Sequence, residues 1–76
     1  MTRAYVLINV GAGSEDQVLK DIKALGWVQE AYVSYGVYDL VLKVEADSME
    51  QLKELVHQLR VINNVRSTLT LILTEE

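Results

Sequence analysis

The sequence predicts an α+β sandwich in which two helices cover one face of a four-stranded antiparallel sheet. Three observations predict it. Four runs are rich in β-branched, aromatic and leucine residues, and two others carry apolar residues at helical spacing. The runs alternate as strand, helix, strand, strand, helix, strand. A glycine turn, Gly36-Val37, joins the two middle strands, whereas each outer pair is joined through a helix.

Each element has a local reason. Arg3 to Val10 reads as the first strand, with Ala4, Val6, Ile8 and Val10 on one face and Tyr5, Leu7 and Asn9 on the other. Both faces are largely apolar, as in a central strand covered on both sides. Gly11-Ala12-Gly13 interrupts it. Ser14 then opens a helix, with Gln17 placed to complete a capping box and Glu15 and Asp16 suited to the positive helix start. Val18, Leu19, Ile22 and Leu25 form its apolar stripe, and Gly26 is its expected left-handed stop. The second strand is expected over about Trp27 to Tyr35, and charged Glu30 marks it as an edge strand. The third is expected over about Asp39 to Ala46, with Leu40, Leu42 and Val44 on one face and Lys43 and Glu45 on the other.

Asp47 or Ser48 caps the second helix, since each has a Glu or Gln three residues on. Leu52, Leu55, Val56 and Leu59 make the clearest helical stripe in the chain. Asn64 suits the turn that follows because asparagine tolerates positive φ. The last strand is expected over about Val65 to Thr74. Val65, Ser67, Leu69, Leu71 and Leu73 should face one way, and Arg66, Thr68, Thr70, Ile72 and Thr74 the other. Glu75 and Glu76 are expected to be a frayed end. With right-handed crossovers this order is a ferredoxin-like βαββαβ sandwich with spatial strand order four, one, three, two.

Composition narrows the function. A 76-residue chain is a single domain. A domain of that size buries only about 60% of the surface its unfolded chain exposes. Yet half of its residues are hydrophobic, and a two-layer fold has little interior to hold them. The surplus predicts burial between subunits, with sheets packed face to face. The chain has no cysteine, which removes disulfides and thiolate chemistry. The seven basic residues are scattered against eleven acidic ones, a net charge of -4, which argues against direct nucleic-acid binding. No apolar stretch approaches the roughly 20 residues of a membrane span, and no signal peptide is visible, so a cytoplasmic location is the expectation. Catalysis has little to stand on. His57 is the single histidine, a Ser-His-Asp set is not apparent, and Gly11-Ala12-Gly13 lacks the rest of a phosphate loop. Neither a cofactor nor a metal is expected.

The candidate site is the turn Tyr35-Gly36-Val37-Tyr38-Asp39. Gly36 permits positive φ and close approach of a ligand, and is equally what a hairpin needs. Asp39 either caps the turn backbone or accepts from a ligand ammonium. Thr68 and Thr70 are strand formers that also offer hydroxyls on one face.

The run Gly36-Val37-Tyr38-Asp39-Leu40-Val41-Leu42-Lys43-Val44 resembles the G-x-Y-D strand of the Lrp/AsnC regulators of amino-acid metabolism, in their effector-binding RAM domain. Val65-Arg66-Ser67-Thr68-Leu69-Thr70-Leu71-Ile72-Leu73 is similar to the family's last strand with its T-x-T pair, and the resemblance covers the whole chain. It implies a non-enzymatic module that binds an amino acid or related metabolite between dimers of a ring-like, octamer-type assembly. Gly36, Val37, Tyr38, Asp39, Thr68 and Thr70 are the matching ligand-binding positions. Full-length members carry an N-terminal helix-turn-helix domain, whereas this sequence starts at the first strand of the effector module. A stand-alone RAM domain is therefore expected, homodimeric and higher, with full-length Lrp/AsnC regulators as co-assembly partners. Two departures are Asn64, where glycine is frequent, and Tyr35, where a small hydroxyl residue is frequent. The competing readings are an ACT-like amino-acid-binding domain, which would place its ligand near Gly11 and Gly13, and a purely structural oligomerisation module.

Overall fold

A computed structural model describes residues 2–74; Met1 and the expected frayed pair Glu75-Glu76 lie outside the described residues. Six elements follow in the expected order: β1 (Thr2–Val10), α1 (Glu15–Ala24), β2 (Glu30–Val33), β3 (Leu40–Ala46), α2 (Met49–Arg60) and β4 (Val65–Leu73). The sheet is antiparallel in the order β2-β3-β1-β4, which is the expected order read from its other edge. This is the ferredoxin-like α+β fold, with β2 confirmed as an edge strand.

The core lies between the sheet and the helices. Ala4, Val6 and Ile8 of β1 and Leu40, Leu42 and Val44 of β3 are fully buried there, against Val18 and Ile22 of α1 and Leu52 and Leu59 of α2. Leu19, Leu25, Leu55 and Val56 complete the two helical stripes at the margin of that core. All buried side chains among the described residues are apolar, so the interior is held by area alone.

The helix starts differ from one another. At α2, Ser48 Oγ accepts from the Gln51 N–H at 3.1 Å, and the Gln51 side chain accepts from the Asp47 N–H. Ser48 is thus the cap, and Gln51 reaches one residue further back than an ordinary capping box. At α1 the expected box does not form. Ser14 makes no side-chain cap, and Gln17 donates instead to Asp21 one turn on. A tight turn, in which the Ser14 N–H donates to the Gly11 carbonyl, sets Ser14 at φ -100 and ψ 2, outside the extended backbone of a typical cap.

Two further differences concern the strands. β2 is shorter than expected, because Trp27 and Val28 both pack against the core. Consecutive residues on one side cannot belong to a strand, whose side chains alternate. Trp27 also donates through Nε1 to the Gln58 side chain of α2. In β4, the ladder with β1 slips between Asn9 and Val10, which pair with Ser67 and Val65. Arg66 is the extra residue of this β-bulge. The slip moves Val65 to the helix side, where it packs on the core, instead of the leucine side predicted by strict alternation. The remaining alternation is as read: Thr68, Thr70 and Ile72 pair with Ile8, Val6 and Ala4 on the helix side. Asn64 takes its left-handed turn at φ 71.

The opposite face of the sheet carries no helix. Register places Tyr5 and Leu7 of β1 there, beside Leu69, Leu71 and Leu73 of β4 and Val41 of β3. The three β4 leucines and Tyr5 are exposed. Toward β2 the face turns polar: Tyr32 donates to the Glu30 carboxylate, and Lys43 Nζ lies 3.6 Å from it. The Tyr32 hydroxyl, with Lys43 beside it, holds the Glu30 carboxyl below its usual value, and Glu30 raises Tyr32 in turn. Among the described residues no helix is long and apolar enough to cross a membrane.

Leu42→Ala should cost about 2–5 kcal/mol, since Leu42 is fully buried in the core between sheet and helices. Urea unfolding followed by circular dichroism measures this; an unchanged midpoint would contradict the assigned core.

Candidate functional site

The β2–β3 connection is where the predicted site residues concentrate. Its base is closed by the Ser34 N–H donating to the Asp39 carbonyl at 2.8 Å. Gly36 sits at φ 149, backbone that L side chains rarely adopt, with open space where a Cβ would point. Beside it, Tyr35 is 97% exposed and Val37 83%. Two large apolar side chains at a turn tip, held there by a glycine conformation, have nothing to pack on in their own protomer. Tyr38 is half-buried just before Asp39.

Asp39 has a structural task. Its backbone N–H donates to the Ile8 carbonyl, and its Oδ2 accepts from the Val10 N–H, both at 2.9 Å. The β1–β3 ladder pairs Ile8 with Leu40 and goes no further. The carboxylate therefore supplies the acceptor that β3 would have offered to Val10. This is the turn-capping reading of Asp39, and it leaves Oδ1 for other partners.

Around Asp39 lies a recess of about 330 Å³, bordered by Glu15, Asp16, Val33, Ser34, Tyr35 and the Asp39 side chain. The start of α1 thus brings two further carboxylates to the turn, a juxtaposition hidden in the sequence, where Glu15-Asp16 read only as a favourable helix start. Among the described residues no group of three or more His, Cys, Asp or Glu side chains is arranged to hold a metal ion. Its three carboxylates, Glu15, Asp16 and Asp39, give the recess a negative character.

Thr68 and Thr70 stand apart from it. Both lie on β4, across β1 from the turn. Thr68 borders a separate recess of about 380 Å³ with Arg60, Val65, Arg66 and Ser67. Thr70 borders a groove of about 370 Å³ between β4 and α2, with Ile72, Met49, Val56 and His57. A single protomer therefore divides the six predicted positions among three places. The arginines beside Thr68 escaped notice in the sequence, because one ends a helix and the other lies in a strand six residues on. At the first loop, Gly11 is buried and its N–H donates to the Asn64 carbonyl at 2.9 Å, so that glycine serves packing.

Comparison with known proteins adds an independent line. Residues 3–76 match the family described as the Lrp/AsnC ligand binding domain. The HTH-type transcriptional regulator FL11 of Pyrococcus furiosus is 30% identical over 69 residues, which is 91% of this chain and 46% of the regulator. The chain thus spans about half the length of the curated relatives it matches. Among solved structures, the hypothetical protein PHS023 from Pyrococcus horikoshii is 36% identical with a TM-score of 0.90, over 100% of this chain and 93% of that one. AsnC from E. coli is 27% identical with a TM-score of 0.90, over 99% of this chain and 52% of its own.

Asp39→Ala should destabilise the fold by about 1.5–3 kcal/mol, by removing a charge-assisted bond and leaving the Val10 N–H unpaired. Asp39→Asn, which keeps an acceptor oxygen, should restore part of that loss. Equal urea midpoints for Asp39→Ala and the wild type would show that the bond carries no weight.

Proposed function

The chain belongs to the Lrp/AsnC ligand-binding domain family, and on that footing we propose that it is a non-enzymatic regulatory module that binds an amino acid or related small metabolite where subunits meet. The observation that carries this reading is the β2–β3 turn. It holds Tyr35 and Val37 out in solvent beside a glycine in backbone that only glycine adopts easily. Such a tip is matched to a neighbour and a ligand, because exposed apolar residues of that size gain stability only when covered.

The division of the predicted positions supports the same reading. Gly36, Val37, Tyr38 and Asp39 occupy one end of the β2–β3 pair, and Thr68 and Thr70 lie on β4. They make one niche only if a neighbouring copy brings its own turn or strand alongside. In that niche Asp39, through Oδ1, and the carboxylates of Glu15 and Asp16 receive the ligand's ammonium group. The leucine-bearing face of the sheet supplies the homodimer contact, and further copies join the dimers into a ring.

The curated relatives are transcriptional regulators. We therefore take the output to be regulation exerted through protein contacts, by co-assembly with full-length Lrp/AsnC regulators in the cytoplasm, without direct contact to nucleic acid by these residues. The scattered placement of the basic residues fits that division of labour.

Calorimetric titration of the assembled protein with the common amino acids tests the proposal. Saturable heat is expected with one or a few of them, and Gly36→Ala should weaken it by straining the turn. Absence of heat with every amino acid, on well-folded protein, would remove the ligand claim.

A further inference from the structure

We propose that the recess at the start of β4 is an anion site, in which Arg60 and Arg66 bind the carboxylate or phosphate group of a small molecule. It goes beyond the effector reading, sharing Thr68 with it but standing on different observations.

The first observation is charge. The recess is lined by Arg60, Val65, Arg66, Ser67 and Thr68, so its charged groups are two guanidinium ions and its other polar side chains are two hydroxyls. Among the described residues no carboxylate lies within ion-pair distance of either arginine. In a chain of net charge -4, two of only seven basic residues converge on one hollow and are left uncompensated. Arginine is suited to this task because its planar fork meets a carboxylate or phosphate with two parallel bonds.

The second observation is placement. Arg66 is the unpaired residue of the β1–β4 bulge, and bulges re-aim a side chain away from the ladder. Its Nε lies 3.6 Å from the point where a Cβ on Gly11 would stand, a point that Asn64 Oδ1 and Ser14 Oγ approach at 3.4 and 3.5 Å. Arg60 occupies the last turn of α2, where a cation complements the helix dipole and needs no further reason. That explanation does not extend to Arg66, which belongs to another element and yet borders the same hollow. Ser67 and Thr68 add hydroxyl donors on an edge strand, whose outward backbone groups are unpaired in the protomer. The volume of about 380 Å³ accommodates a small metabolite.

The contrast with the recess at Asp39 sharpens the assignment. That hollow is bordered by Glu15, Asp16 and Asp39 and repels anions, whereas this one attracts them. The two lie on opposite sides of β1, so each can be tested without the other.

The experiment is an NMR titration of the full chain, at low and constant ionic strength, with inorganic phosphate and separately with acetate. Saturable shifts are expected at the Ser67 and Thr68 amides. R66Q and R60Q should each weaken binding by about tenfold or more, whereas K20Q, on α1, should leave it unchanged. Both arginines are exposed, and unchanged circular dichroism would establish that the variants fold. Phosphate, with the larger charge, should bind more tightly than acetate. The proposal is overturned if neither anion saturates, if R66Q binds as the wild type does, or if K20Q weakens binding as much as R66Q. Because the probes are simple anions, failure here leaves the amino-acid titration standing, and failure there leaves this site standing.

Discussion

One strand governs the molecule. β1 pairs with β3 on one side and β4 on the other, and its side chains Ala4, Val6 and Ile8 are sealed beneath both helices. Its other face carries Tyr5 and Leu7 at its centre and has no helix above it. The sheet thus has one dry face and one leucine-rich face that is bare in the protomer. In the proposed assembly, the hydrophobic effect that builds the protomer would also drive its association. The Glu30–Tyr32–Lys43 cluster bounds the apolar area on the β2 side, leaving it on the β1–β4 half of the face.

Both candidate recesses lie where β1 ends. Beyond Ile8 the ladder to β3 stops, and the Asp39 carboxylate takes over as the partner of Val10. On the other side the ladder to β4 slips by one residue, and Arg66 is released from it. Two irregularities at one strand terminus thus produce an acidic recess on one flank and a basic one on the other. Both arise from the same cause: the chain must leave the sheet here for Gly11 and α1, so the backbone groups at this end need partners other than a regular strand.

The sequence disclosed much of this and hid some of it. The helical stripes were legible from local periodicity, the left-handed Asn64 from its backbone preference, the edge position of β2 from charged Glu30, and the strand order from the handedness of the crossovers. The start of α1 was misread because the Ser14–Gln17 spacing permits a capping box without requiring one, and the Gly11–Ser14 turn set a different geometry. The length of β2 was overestimated because Trp27 and Val28 have strand-like chemistry while serving the core beside α2. The bulge was illegible, since an inserted residue in β4 has meaning only opposite Val10. The turn Gly36 to Asp39 stood out from its composition, but the neighbours that give it electrostatic character, Glu15 and Asp16, come from an element more than twenty residues away in the chain. A composite niche between subunits depends on contacts that no single chain contains.

Sedimentation velocity at micromolar dilution shows whether the bare sheet face drives self-association. A species of at least twice the 8.6 kDa of one chain is expected, with Leu71→Glu shifting it toward the protomer. A well-folded species sedimenting at the mass of one chain would contradict it.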